Sequence, residues 1–221
     1  MSKSQIILAG GPITEKCKGQ IATLYKDNTD INITACDSGI ITAYQLGITP
    51  NALVGDLDST PSDILEWAKN IPQIKIHQFQ ADKDETDLEL TLRLSDFSSF
   101  KYTTLYGCLG SREDFTISNI HLIANYAKSN TTTQFTIQSD SGRFIFPHPK
   151  VTNEFCTIMG QNFSLIVLSE SVDNLSISGA KWNLENQKLF FGSGRGISNQ
   201  AIDKKIELNF DSGLLAVYIF E

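Results

Sequence analysis

The chain has 221 residues, 41% of them hydrophobic and 19% charged, which is enough apolar content to bury a core in one large domain or two small ones and rules out wholesale disorder. Eighteen basic residues against twenty-five acidic ones give a formal net charge of -7, which excludes a broad cationic surface for nucleic acid or anionic lipid, so any phosphate must be held locally. No apolar run approaches the roughly 20 residues that span a bilayer. The start, MSKSQIILAGG, has no apolar stretch of signal-peptide length, and the sequence therefore reads as cytoplasmic, with no membrane or nucleic-acid partner.

Along the chain, short runs rich in β-branched and aromatic residues predict strands over 5–9, 31–36, 52–54, 74–77, 102–106 and 133–138. Apolar residues at three and four spacing predict helices over 38–46, 61–70, 84–94 and 113–128, with Pro61 as a first-turn signal. Strands alternating with helices predict a parallel sheet. Beyond about residue 140 the rhythm changes to strand-like runs over 144–146, 154–159, 163–168, 174–177, 188–191, 206–209 and 214–220. Only turns such as Asp140-Ser141-Gly142, Met159-Gly160-Gln161 and Asp211-Ser212-Gly213 separate them, and nothing there is long enough for a crossover helix. The expected architecture is an α/β parallel-sheet, nucleotide-binding domain over 1–140 followed by an all-β sandwich over 141–221.

The cysteines, Cys17, Cys36, Cys108 and Cys156, form no CxxC pair, and His77, His121 and His148 do not cluster with them. They read as ordinary buried thiols and as surface or edge histidines, without a catalytic part. The acids are more informative. Asp37 follows the strand INITAC, and Asp56 and Asp58 follow the strand ALV in Gly55-Asp56-Leu57-Asp58-Ser59, so both groups sit at carboxyl ends of strands, where an open parallel sheet binds ligands. Two aspartates at i and i+2 in an extended turn would face one way, as Mg²⁺ requires, since that ion takes a few carboxylates together with water and phosphate oxygens. The alternative is a plain turn in which Asp58 or Ser59 caps the Pro61 helix.

A second group, Asp82-Lys83-Asp84-Glu85-Thr86-Asp87-Leu88-Glu89, places Asp84 and Asp87 at i and i+3. They would share one face in the first turn of a helix, where the dipole favours carboxylates; alternatively Thr86 or Asp84 only caps that helix. Strand 102–106 runs into a glycine-bearing loop, Gly107-Cys108-Leu109-Gly110-Ser111-Arg112-Glu113-Asp114, that opens a helix and carries one arginine, a combination suited to phosphate. Neither a Walker A loop nor a full GxGxxG fingerprint is present. Ala9-Gly10-Gly11-Pro12 is either a tight turn or a close approach to a nucleotide. In the β half, Trp182 in Gly179-Ala180-Lys181-Trp182-Asn183 is either core or a face for stacking on a flat heteroaromatic, and Gly192 to Gln200 is a polar glycine loop with no strand role. Trp67, mid-helix, reads as packing.

Taken in order, these segments resemble the thiamine pyrophosphokinase family. The match runs through Ala35-Cys36-Asp37-Ser38-Gly39, Gly55-Asp56-Leu57-Asp58-Ser59, Asp82 to Glu89, Gly107 to Asn119, and Gly179-Ala180-Lys181-Trp182 with Gly196-Ile197-Ser198-Asn199. The resemblance implies a homodimer that moves the diphosphoryl group of ATP to the hydroxyl of thiamine, with active sites at the subunit interface. It implies Asp56, Asp58 and Asp87 as catalytic metal ligands for Mg²⁺, with Asp37 nearby. Asp37, Lys83, Asp84, Thr86, Arg112, Asp114 and Asn119 would bind ATP, Arg112 having a catalytic share through phosphate charge. Trp182, Ser198 and Asn199 would bind thiamine, Trp182 serving the partner's site. Ser38 and Ser111 stand where the family pattern has glycine, and Phe115 where it has a polar residue. Those departures motivate two other readings, a thiamine or nucleotide sensor without turnover and a diphosphotransferase acting on another alcohol.

Overall fold

Strand β1 (Ser4–Leu8) opens an alternation of strands and helices: α1 (Glu15–Asp27), β2 (Ile31–Cys36), α2 (Gly39–Gln45), β3 (Ala52–Gly55), α3 (Ser62–Lys69), β4 (Lys75–Gln78), α4 (Asp87–Leu94), β5 (Tyr102–Tyr106), α5 (Glu113–Ser129) and β6 (Gln134–Gln138). The computed structural model describes residues 3–28, 30–110 and 112–221. It divides the chain into two units. One runs to Leu122 and takes back Ile137–Asp140; the other comprises Ile123–Thr136 and Ser141–Glu221.

In the first unit the strands stand in the order β5-β1-β2-β3-β4, every pair parallel. The middle strands are buried almost without interruption, as expected of a parallel sheet covered on both faces, whereas β4 is a largely exposed edge. Ile6, Leu8, Ile33, Ala35 and Leu53 pack there with Ile21, Ile40, Ala43 and Ile64 from the helices. Trp67 packs against this core at its margin, edge-on to Tyr44 at 5.1 Å. From β1 the chain steps outward to β4 and then returns to the other side of β1 as β5. The loops after β1 and β5 therefore part at the carboxyl ends, and that switch point opens a crevice.

The second unit carries β7 (Gly142–Ile145), β8 (Asn153–Cys156), β9 (Asn162–Val167), β10 (Ser171–Ser178), β11 (Leu184–Phe190), β12 (Asn199–Gln200), β13 (Lys205–Asn209) and β14 (Leu215–Phe220). Its neighbours run antiparallel as β12-β9-β14-β7 and as β11-β10-β13-β8. Strand β13 alternates exposed and buried residues, the pattern of a sheet with one face in a core. Phe163, Leu165, Val217 and Ile219 of the first set share that core with Leu175, Ile177, Ile206 and Leu208 of the second, which makes a β sandwich.

Several elements differ from the sequence expectation for identifiable reasons. Helix α1 carries only two buried residues, Cys17 and Ile21, too narrow an apolar stripe to read from periodicity; Thr14 caps it by accepting the Cys17 N–H. Helix α3 starts at Ser62 with Pro61 as its N-cap, so neither Asp58 nor Ser59 caps it. Residues 199–200, read as loop, form β12 against β9. His148, read as surface or edge, is buried: its N–H donates to Asn153 Oδ1 at 2.9 Å and its Nε2 donates to the Thr133 carbonyl at 3.1 Å. Cys156 is exposed, while Cys17, Cys36 and Cys108 are buried; none of the four is in a disulfide. Among the described residues no helix is long and apolar enough to cross a membrane.

Candidate active site

The crevice at the switch point has a volume of about 360 Å³. Its walls come from the loop after β1 (Ala9, Gly10, Gly11), the end of β2 (Cys36, Asp37, Ser38), the start of α4 (Thr86, Asp87) and the loop after β5 (Gly107, Cys108, Gly110, Arg112). Gly11 and Gly107 explain how two strand-end loops come this close. The Gly11 N–H donates to the Gly107 carbonyl at 3.0 Å, and a side chain on Gly11 would collide with that carbonyl oxygen. The Gly-Gly-Pro segment is thus a close backbone approach lining the crevice. Cys36 and Cys108, read as bland thiols, also line it; their place at the end of β2 and two residues past β5, beside Asp37 and in the glycine loop, was the available signal. Burial pushes the Cys36 thiol up to about 12, with the Asp87 and Asp37 carboxylates adding to the rise against a bond to Thr91, so it carries no thiolate chemistry.

Asp37, Asp56 and Asp58 each offer a carboxylate oxygen to one cluster, all within 4.8 Å of one another. The turn that gathers them is not extended. Leu57 lies at φ 66 and Asp37 at φ 47, left-handed conformations that non-glycine residues seldom adopt, and Leu57 is held there by burial in the core. The Asp58 N–H closes the turn by donating to Asp56 Oδ1 at 3.2 Å, and the Asp37 N–H donates to the Val54 carbonyl at 2.8 Å. Burial raises the Asp37 carboxyl above its ordinary value, and the neighbouring charges of Asp87, Asp56 and Asp58 raise it further, against a hydrogen bond from the Ser38 backbone. Asp37 Oδ1 is buried and has no hydrogen-bond partner.

Asp87 joins this group through Lys83. The Lys83 Nζ lies 3.1 Å from Asp56 Oδ2 and 3.1 Å from Asp87 Oδ1, and all three side chains are mostly buried. Burial opposes both charges of the Lys83–Asp56 pair. Hydrogen bonding prevails, lowering the Asp56 carboxyl through the Asp58 N–H and Lys83, and raising Lys83 through Asp56 and Asp87. Asp84 departs from expectation. Helix α4 begins only at Asp87, with Thr86 as its cap accepting the Glu89 N–H at 3.2 Å, so Asp84 lies before the helix, is exposed, and shares no helical face with Asp87.

In the loop after β5, Arg112 Nε donates to Asp114 Oδ1 at 3.1 Å and its guanidinium sits 4.3 Å over the Phe115 ring. Both Arg112 and Phe115 reach the crevice, whereas Asp114 meets it only through Arg112. Asn119 is buried and donates to the Cys108 carbonyl at 2.9 Å, so it braces the loop from below. Ser111 lies outside the described residues.

In the second unit Trp182 is not core: 55% of it is exposed. The buried Asn199 fixes the loop under it, accepting the Trp182 N–H at 3.2 Å on Oδ1 and donating from Nδ2 to the Trp182 carbonyl at 2.9 Å. The Lys181 ammonium lies 4.7 Å from the centre of the Trp182 ring. Ser198, exposed and at φ 58, donates its N–H to Ser164 Oγ at 3.0 Å.

A parallel sheet with carboxylates and an arginine at its switch point, joined to a β sandwich, is the organisation of a two-unit phosphoryl-group transferase. A family model described as thiamin pyrophosphokinase, catalytic domain, matches residues 22–135, and one described as thiamin pyrophosphokinase, vitamin B1 binding domain, matches residues 148–215. The chain is 31% identical over 215 residues to thiamine pyrophosphokinase of Bacillus subtilis (strain 168), covering 95% of this chain and 94% of that one. The chain belongs to the thiamine pyrophosphokinase family. The fold agrees: crystal structures of the thiamine pyrophosphokinases of Bacillus subtilis and Geobacillus thermodenitrificans superpose with TM-scores of 0.83 and 0.80 at 23% and 24% identity. They cover 99% of this chain each, and 98% and 97% of their own chains.

Proposed function

We propose that the protein is a thiamine diphosphokinase, transferring the diphosphoryl group of ATP to the hydroxyl of thiamine to give thiamine diphosphate and AMP. The observation that carries this reading is the convergence of Asp37, Asp56 and Asp58 beside a crevice of about 360 Å³ in a chain of this family. Residues 1–140 act as the catalytic, ATP-binding domain and residues 141–221 as the thiamine-binding domain. The protein works as a cytoplasmic homodimer with thiamine held at the subunit interface.

The oxygen-only donor set and the bare, buried Asp37 Oδ1 fit a hard divalent cation such as Mg²⁺. Asp56, Asp58 and Asp87, with Asp37 beside them, would hold it; when bound, the ion neutralises phosphate charge that builds up during transfer. Lys83 and Arg112 receive the triphosphate, in a crevice whose floor the close approach of Gly10, Gly11 and Gly107 keeps free of side chains. Thr86 and Asn119 hold α4 and the β5 loop in place around it, and Asp114 aims Arg112. Asp84 stays in the ATP assignment only as an outer charge. Trp182 stacks on thiamine, with Asn199 and Ser198 shaping its loop.

In the transfer, the thiamine hydroxyl oxygen forms a bond to the β-phosphorus as the bond from that phosphorus to the α,β-bridging oxygen breaks. AMP leaves with the bridging oxygen, and the hydroxyl proton passes to a carboxylate, for which Asp87 stands ready. Such chemistry asks for positioning and charge neutralisation rather than a covalent nucleophile. Phosphorus NMR of the purified protein with ATP, Mg²⁺ and thiamine tests the reading. AMP and thiamine diphosphate are the expected products; ADP with thiamine monophosphate, or binding of thiamine without any product, would overturn it.

A further inference from the structure

Both oxygens of Asp56 accept a hydrogen bond. Oδ1 accepts the Asp58 backbone N–H, a bond fixed by the turn itself, and Oδ2 accepts the Lys83 ammonium. That ammonium is also the ion-pair partner of Asp87 at 3.1 Å. Each of these oxygens keeps a second lone pair, but a cation that is to use Asp56 and Asp87 meets the Lys83 charge in contact with both, and Lys83, on a flexible four-carbon stem, is the group free to give way. Lys83 itself comes from the segment before the α4 cap, outside regular structure. Its charge lies between the Asp56 and Asp87 carboxylates, which would otherwise repel one another, beside the cluster of Asp37, Asp56 and Asp58.

We infer that Lys83 is an internal counter-ion that occupies the metal position of the nucleotide-free protein and yields it only when a nucleotide's phosphates draw the ammonium away, so that metal and nucleotide enter together. This rests on the reading of Asp56 and Asp87 as metal ligands in a diphosphotransferase. Lys83 thereby becomes a positioning residue with two successive partners: carboxylates first, phosphate afterwards. Without it the free protein would hold two unneutralised carboxylates and bind a cation ahead of ATP.

The test is a Mn²⁺ titration read by electron paramagnetic resonance, with neither thiamine nor turnover involved. In the absence of nucleotide, Lys83→Met is expected to bind Mn²⁺ about tenfold more tightly than wild type, since a positive charge in contact with the site has gone. Lys83→Arg, which keeps the charge, stays weak, and Lys83→Gln provides a second neutral variant should the methionine chain fail to fold. With α,β-methylene ATP present, the wild-type and neutral-variant affinities converge. Neutral variants, folded by circular dichroism, with unchanged or weaker Mn²⁺ affinity would overturn the inference, as would a gap that the nucleotide analogue leaves untouched. Asp58→Asn separates the two levels. Mn²⁺ binding that ignores this substitution removes the metal site and the inference with it, whereas binding that depends on Asp58 but not on Lys83 removes the inference alone.

Discussion

In the first unit, the charged side chains at and beside the crevice are at odds with one another: Asp37, Asp56 and Asp58 crowd together, Lys83 bridges the carboxylates of Asp56 and Asp87, and Asp37 Oδ1 is buried without a partner. In the second, the chain beneath Trp182 is satisfied on both sides by the buried Asn199, and only the ring is left in the open. The first region stores electrostatic repulsion that a cation and a triphosphate relieve. The second is a finished scaffold that presents one aromatic face. The difference teaches what each can bind: charge in one place, a flat ring in the other, and it tells in advance which substitutions will act through chemistry and which through affinity.

The largest effect should follow loss of a metal-site charge. Asp58 is exposed and outside both cores, so Asp58→Asn should leave the melting temperature unchanged while kcat falls by about a thousandfold, the scale of losing an organised electrostatic group. A near-normal rate of AMP formation would break the contrast outright. Next comes Arg112→Ala, which removes the guanidinium at the crevice rim; kcat/KM for ATP should drop roughly 10- to 100-fold, as for a lost charge-assisted bond, with thiamine affinity untouched.

Trp182→Ala should raise KM for thiamine about tenfold at nearly constant kcat, the worth of one stacking face, without changing thermal stability, because the ring is exposed. Asn199→Ala sharpens the point. It leaves the main chain of Trp182 without its partners, so both the melting temperature and thiamine affinity should fall, at a cost of about 1–3 kcal/mol of stability. If Asn199→Ala changes stability but not thiamine KM, the loop is scaffold only.

The smallest effect is one of pH on the second unit. Burial holds the His148 imidazole below its ordinary 6.5, against the opposing bond to the Thr133 carbonyl. As pH falls below about 6.5 the unfolded chain takes up a proton there that the folded chain does not. Stability should then decline from that point down to the folded value, with a slope of at most about 1.4 kcal/mol per pH unit. His148→Gln, which can still donate to Thr133, should flatten that slope in urea titrations between pH 7 and 5; an unchanged slope would assign it to other groups.

Most of the α/β-then-sandwich order was legible because strand runs such as 31–36 and 102–106 are bounded by unambiguous turn and helix signals, and those bounds match β2 and β5. What was not legible depended on contacts distant in sequence. Helix α1 buries only two side chains, and β12 exists only because β9 lies beside it. In the site, the strand-end positions of Asp37, Asp56 and Asp58 announced a cluster, yet the left-handed backbone at Leu57 that forms it follows from burial of that side chain, which no local spacing encodes. Asp84 illustrates the opposite error: its spacing from Asp87 suggested a shared helical face, but the cap at Thr86 starts the helix three residues late. Trp182 could be read either way until the Asn199 scaffold placed it outside the core.

The division of labour between the two regions is tested most directly by calorimetric titration of thiamine, and separately of ATP with Mg²⁺, into folded Asp58→Asn and Trp182→Ala. The account predicts that Asp58→Asn loses the nucleotide–metal isotherm and keeps thiamine binding, and that Trp182→Ala does the reverse. Loss of thiamine binding in Asp58→Asn, or undiminished thiamine binding in Trp182→Ala, would contradict it.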